Sequence, residues 1–339
     1  MIKIKRLVAL ICLCICLILA YIITQKTSKN LPIQEQIYGI LHSYAITYDI
    51  DKQSVNSGID TEVPLIKGVQ ECIDHIAYFT NKNQPIRMIL VGFPFKSGNQ
   101  EKKVIGNLPD MAERKSLEYL QKMLNAIKSV YDPGVSLLIF CDGMLFAEFF
   151  GIPINHVLEY EKALKKLAID LPDITMFTSQ DLMQKHSLTN ASEIIAMIDQ
   201  YEPTDQQFKT ETKILPETAL KRISVELDYA QGKEILKKNS LESIATKLLT
   251  REMRLRNYIA GAFGSPSFFR LTVHFTADIS KKFGIKLSPT SEVTPYHGTM
   301  VEEKDGSWEI RFLKDIDASL YKLTGDYING IECLYFKRI

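Results

Sequence analysis

Most signatures of familiar chemistry are missing from this 339-residue chain. Its six cysteines include no Cys-x-x-Cys pair, so neither a zinc site nor a disulfide framework is expected, and at most one long-range bridge remains open. Three of them (Cys12, Cys14, Cys16) crowd one apolar run, while Cys72, Cys141 and Cys333 stand far apart. Cys141 ends an apolar run and reads as a buried small hydrophobe rather than a nucleophile. No His-x-Asp or His-x-x-x-His pattern supports a metal at His274 or His297. A Gly-x-Ser-x-Gly elbow is absent. So are the Gly-x-Gly-x-x-Gly dinucleotide fingerprint and the Gly-Lys-Ser/Thr ending of a P-loop. Internal repeats and low-complexity tracts are also lacking.

An excess of positive charge is missing too. The net charge is +1, yet the first thirty residues hold five basic side chains and no acid. The remaining body carries 36 basic against 40 acidic residues, which gives no electrostatic case for nucleic acid. "LVALICLCICLILAYII" (7–23) runs without a charge behind "KIKR". It is close to the length of a membrane-spanning helix and is followed by no small-residue cleavage pattern. Residues 1–30 are therefore expected to be an uncleaved membrane anchor, with a cleavable signal segment as the alternative. The positive flank predicts a cytoplasmic amino end and hence a body outside.

What is present is an alternation of buried strands and amphipathic helices. "IRMILV" and "VSLLIF" are apolar strand runs, and "DITMFTSQDL" reads as a third strand followed by a loop. Between them, Leu117, Leu120, Met123, Leu124 and Ile127 repeat at helical spacing. This pattern predicts an α/β fold, a mainly parallel sheet flanked by helices, over 31–200. A polar stretch at 201–216 reads as a linker or surface loop. Residues 217–339 then predict a helical and β-hairpin portion that completes the site. It would hold two helices, the second capped at Asn239 with Glu242, and a hairpin turning at Asp305-Gly306.

Candidate chemistry gathers where strands end. "GFPFKSGNQEKKVIGNLPDMAE" (92–113) opens directly from the first strand, and ligands in α/β proteins are held at such carboxyl ends. Lys96, Lys102 and Lys103 could contact a phosphate there, or the segment could be a solvated turn. Asp142 follows the second strand in "FCDG" and could hold an amine or hydroxyl, or cap a turn. Arg270 and His274 stand four apart in "RLTVH", so on a strand they would share a face and suit a carboxylate or phosphate. His297 in "TPYHG" sits in a rigid setting fit for a general base, or simply opens a strand.

Together and in this order, these segments resemble the pyoverdine/dityrosine biosynthesis family, the amino-acid isonitrile synthases. "PFKSGNQEKKVIGNLPDMAE" is similar to that family's P-F-K-S-x-N-x-x-K…G…L-P-D-x-A-E run, "CDG" to its S-D-G, and "FRLTVHF", "KFGIKL" and "TPYHG" to its later motifs. The resemblance covers roughly residues 35 to 315 and implies a Rossmann-like fold. It implies condensation of an L-amino acid, commonly Tyr or Trp, with ribulose 5-phosphate, without metal or redox cofactor. The product is often passed to an iron(II)/2-oxoglutarate oxygenase. Lys96, Asp142, His274 and His297 become the expected catalytic residues. Ser97, Asn99, Lys102, Lys103, Arg270 and Tyr296 become the expected substrate or phosphate ligands. Gly98 stands where a proline is common in the family, Gln100-Glu101 where basic residues are, Cys141 for a serine and Tyr296 for a tryptophan.

Two other readings accompany this one: a formyl-amino-acid synthase of the dityrosine type, and a non-catalytic, membrane-tethered protein that binds sugar phosphates or amino acids. Ribulose 5-phosphate is cytosolic, so this chemistry favours a body on the cytoplasmic face, against the charge rule.

Overall fold

The computed structural model describes residues 31–46, 67–206, 217–264, 266–274, 279–291 and 293–339. The apolar run expected to be an anchor lies outside them, as does most of the expected linker. Among the described residues no helix is long and apolar enough to cross a membrane.

Five strands form the first sheet: β1 (Ile86–Val91), β2 (Val135–Phe140), β3 (Ile174–Phe177), β4 (Phe269–Thr272) and β5 (Phe283–Gly284). Their order is β3-β2-β1-β4-β5, and every adjacent pair is parallel. The Ile, Leu and Val content of β1 and β2 suits strands covered on both faces. One face packs against α1 (Ile33–Ser43), α2 (Val69–Thr80), α3 (Met111–Lys128) and α5 (Ile154–Leu167). The other packs against α4 (Gly143–Phe146), α6 (Ser179–His186), α7 (Ala191–Asp199), α8 (Glu217–Glu226) and α10 (Leu241–Ala262), with α9 (Ala230–Lys238) alongside. The chain steps outward from β1 through β2 to β3, then returns to add β4 and β5 on the other side. That reversal between β1 and β4 is where a ligand crevice opens in such sheets.

A second sheet follows in the order β7-β6-β9-β8, built from β6 (Thr299–Glu302), β7 (Trp308–Arg311), β8 (Tyr321–Ile328) and β9 (Ile331–Arg338). Met300, Ile310, Cys333 and Tyr335 bury its inner face in the core that holds α3. The β6–β7 hairpin is the expected one. The β8–β9 hairpin is not foreseen above, although its turn, Asn329-Gly330 with φ of 52° and 77°, is the strongest short hairpin signal a sequence carries.

Three local expectations need correction. Residues 179–186 form a helix rather than a loop, started by a Thr178–Asp181 capping box. The last long helix is capped by Ser240, whose side chain accepts from Ser243 N, while Asn239 ends the helix before it. Residues 217–238 are two helices, not one. They meet so closely at the break that a Cβ on Gly232 would lie 2.3 Å from Leu227 O.

Candidate active site

The lysine-rich loop leaves β1 through Phe93, a fully buried residue with φ of 56°. This conformation is unusual for a bulky side chain, and such strain collects at ligand sites. The turn sends Lys96 inward. Its side chain is fully buried, and Nζ lies 2.9 and 2.7 Å from the two Glu113 oxygens and 3.0 Å from Asp110 Oδ2. The carbonyls of Pro295 and Gly298 accept from it at 2.9 and 3.3 Å. An ammonium has three hydrogens, and five oxygens surround this one. Burial works against its charge, but Asp110 and Glu113 hold its pKa above the ordinary value. Lys96 therefore ties the loop to residues 295–298, and in this arrangement it has no hydrogen to offer a phosphate. Its acids come from the start of α3, where Asp110 and Glu113 form a capping box. Burial, with help from the Asp110 charge, raises the Glu113 pKa against the pull of Lys96.

Four further polar residues of the loop meet one segment, 226–229, at the break between α8 and α9. Ser97 Oγ donates to Glu226 Oε2 at 2.9 Å, and Lys103 pairs with Glu226 Oε1. Asn99 Nδ2 donates to Asp228 O at 3.1 Å, and Lys102 pairs with the Asp228 carboxylate. Gly98 lies against Tyr229: a Cβ there would sit 2.4 Å from the phenol oxygen. A side chain at this position would have to displace the Tyr229 ring, whose hydroxyl donates to Phe150 O.

Glu226 also faces His297, with Oε1 3.7 Å from Nε2. Burial opposes its charge, yet His297, Lys103 and Ser97 keep its pKa below the usual carboxylate value. On the other side of the ring, Nδ1 lies 3.1 Å from Thr294 Oγ1, and Thr294 is also hydrogen-bonded to the Tyr296 phenol. A chain of polar contacts thus runs Tyr296, Thr294, His297, Glu226. Burial and then the Asp142 charge push the Tyr296 phenol well above its ordinary pKa.

Asp142 stands at the carboxyl end of β2. Its Oδ1 is shielded from solvent and has no hydrogen-bond partner among the described residues. Burial, with the Glu252 charge second, pushes its pKa up to about 7. Close contact with the lysine loop makes Gly143 necessary, because a Cβ there would lie 1.9 Å from Pro94 O. Its neighbour Cys141 is a buried, free thiol whose pKa burial raises. Cys72 and Cys333 are free as well.

Arg270 sits on β4 opposite Ile89 of β1, so it shares that residue's face of the sheet, under α10. It is half-buried, and no carboxylate or carbonyl binds its guanidinium among the described residues. Burial and the nearby Arg256 lower its pKa. His274 falls past the strand, which ends at Thr272, so a shared strand face with Arg270 is not what relates the two.

The structure therefore joins Lys96, Ser97, Asn99, Lys102, Lys103, Tyr296 and His297 through direct contacts, with Asp142 beside Tyr296. Arg270 stands on the strand next to β1. Sequence reasoning missed Glu113, Glu226, Asp228 and Tyr229. Only Glu113 carried a signal, the Asp-x-x-Glu spacing of a capping box.

A comparison with known families matches residues 76–323 to the family model described as "Pyoverdine/dityrosine biosynthesis protein". The chain belongs to this family. Among its relatives is an L-tyrosine isonitrile synthase from Pseudomonas aeruginosa, 30% identical over 304 residues, covering 85% of this chain and 89% of the relative. A second L-tyrosine isonitrile synthase, from Xenorhabdus nematophila, is 28% identical, covering 67% of this chain and 71% of that one. An L-tryptophan isonitrile synthase from Fischerella ambigua is 30% identical, covering 68% and 72%. The crystal structure of the PvcA protein from Pseudomonas aeruginosa superposes with a TM-score of 0.74 over 91% of this chain and all of that one, at 23% identity. That likeness is one of overall fold.

Proposed function

We propose that the chain is an isonitrile synthase that condenses an L-amino acid, Tyr or Trp first among candidates, with ribulose 5-phosphate. The observation that carries this reading is the convergence of the family-like segments at one edge of the parallel sheet, around an acid poised to take a proton. The substrate amine must lose a proton before it attacks the C2 ketone. Asp142, with a pKa near 7 and a free oxygen, suits that task. Water leaves as the imine forms, and phosphate loss and carbon–carbon cleavage then call for further proton transfers. His297, held between Thr294 and Glu226, supplies a route for them. Arg270, which no acid meets among the described residues, offers its guanidinium to a phosphate or carboxylate. Lys96 positions the loop, while Lys102, paired near the surface, can exchange Asp228 for phosphate. His274 is placed in the proton-handling group on the resemblance alone.

Incubation with amino acids and ribulose 5-phosphate carrying carbon-13 at C2 tests the reading by mass spectrometry. A labelled isonitrile supports it and names the amino acid; no labelled product from folded protein overturns it. A labelled formamide without an isonitrile precursor would favour the dityrosine branch. The spore wall maturation protein DIT1 of Saccharomyces cerevisiae, 36% identical over 95 residues, motivates that second reading. A cytosolic sugar phosphate places the body on the cytoplasmic face, and digestion of the body by protease added to intact cells would refute that placement.

A further inference from the structure

The second sheet ends in an open edge. Among the described residues β8 pairs with β9 only, in an unbroken eight-residue register. It contains no proline and no bulge, two devices that usually blunt such edges. The Ile328–Ile331 pair closes a two-residue turn, so even-numbered residues of β8 direct their backbone groups to β9. Tyr321, Leu323, Gly325 and Tyr327 direct theirs outward. Apolar side chains also collect here: Leu320, Leu323, Tyr327 and Ile339 are 47, 45, 76 and 70% exposed.

The sequence of this edge is complementary to itself. We propose that β8 is a homodimer interface, two copies pairing antiparallel about a two-fold axis through Thr324. In that register Leu323 and Gly325 exchange backbone hydrogen bonds with the partner's Gly325 and the partner's Leu323. Lys322 then stands opposite the partner's Asp326, and Asp326 opposite the partner's Lys322, in pairs whose side chains approach most closely. Shifting the axis by one residue puts Lys322 opposite Thr324 or Ile328 and loses both ion pairs. Charge therefore selects one register. Each Leu323 side chain lies over the partner's Gly325 and reaches the partner's Tyr327. The two four-stranded sheets become one continuous sheet of twice the width. Both Lys322 and Asp326 are exposed, and within the copy Asp326 is also hydrogen-bonded to Tyr335 of β9.

Sedimentation velocity of the full-length chain in a mild non-ionic detergent tests the proposal. The wild type should show a concentration-dependent dimer. K322E and D326K each place like charges opposite one another twice, so each should weaken the dimer about tenfold or more. Mixed together, the two variants restore opposite charges at both pairs and should form a heterodimer, as should the K322E/D326K double variant with itself. Thr324→Cys, with Cys12, Cys14 and Cys16 changed to Ser, should give a disulfide-linked dimer under mild oxidation. A monomeric wild type overturns the proposal. So does a dimer indifferent to K322E, or single variants that fail to recover on mixing while circular dichroism shows them folded.

Discussion

Lys96 is the residue whose meaning changes most between sequence and structure, and Lys96→Met tests the change. Read from the motif, its amine faces a substrate; in the fold it is enclosed by Asp110, Glu113 and two carbonyls. Methionine keeps the length and apolar stem but strands a carboxylate with no exposure, Glu113. Breaking a buried pair from one side costs about 3–5 kcal/mol, a large share of the roughly 5–15 kcal/mol that holds a domain folded. Urea unfolding should register that loss. The double variant K96M/E113Q, which removes the stranded charge, should recover about half of it or more.

The pH dependence has a definite sign. The Glu113 pKa is already raised by burial, and without Lys96 it rises further. A carboxylate with a raised folded pKa binds a proton more readily when folded than when unfolded, so stability falls as pH rises between the two values. The penalty of K96M should therefore be smaller near pH 6 and larger near pH 9, on either side of the wild-type Glu113 value of about 8. A K96M protein with wild-type stability and no turnover would refute this reasoning and return Lys96 to direct contact with substrate. A stable variant with normal turnover would refute both roles.

Other residues separate by different assays. For the wild type, kcat/KM should rise with pH through about 7 as Asp142 ionises; D142N should flatten that limb and lower the plateau about 100-fold or more. The same variant should be more stable than wild type at pH 8, because a carboxylate whose pKa burial has raised destabilises the fold once ionised. E226Q keeps the shape but removes the charge beside His297 and Lys103, so kcat should fall about 100-fold with little change in KM. Asp228 and Lys102 are each nearly half-exposed, so D228N should leave the urea midpoint close to that of the wild type. By freeing Lys102, it should lower the KM for the sugar phosphate.

The strands and the order of the motifs were legible because they rest on local properties. β1 and β2 announce themselves as apolar β-branched runs, and "GFPFK", "CDG" and "TPYHG" lie where the chain leaves the sheet or returns to it. Partner choice is not local. Nothing in "PFKSGNQEKK" says that the first lysine would meet acids of the next helix start, or that Ser97 and Lys103 would share Glu226, 129 and 123 residues away. The break after α8 was hidden because helical periodicity runs through Leu227 and Ile235. The chain turns there with Gly232 tight against Leu227 O, and residues 226–228 are held by Ser97 and Asn99 of the distant lysine loop, a tertiary fact. His274 was misjudged because a strand of the assumed length would have kept it on the face of Arg270, and β4 stops at Thr272.

This difference in legibility bears on where an anion can bind. A loop with three lysines looks like a phosphate trap when its partners are unknown. Once they are known, Lys96 is enclosed, Lys103 is held by a partly buried glutamate, and only Lys102 pairs near solvent, where exchange costs little. Arg270 shows the opposite pattern: one basic residue in a strand, unremarkable by composition, yet half-buried with no acid against it among the described residues and a second arginine nearby. A half-buried cation without a counter-charge is costly unless a ligand supplies one. The strongest call for an anion in this fold therefore comes from β4, beside the switch point, rather than from the lysine-rich loop. Arg270→Met should accordingly raise the KM of an anionic substrate more than Lys102→Met does, and steady-state kinetics that rank the two the other way would return the phosphate to the loop.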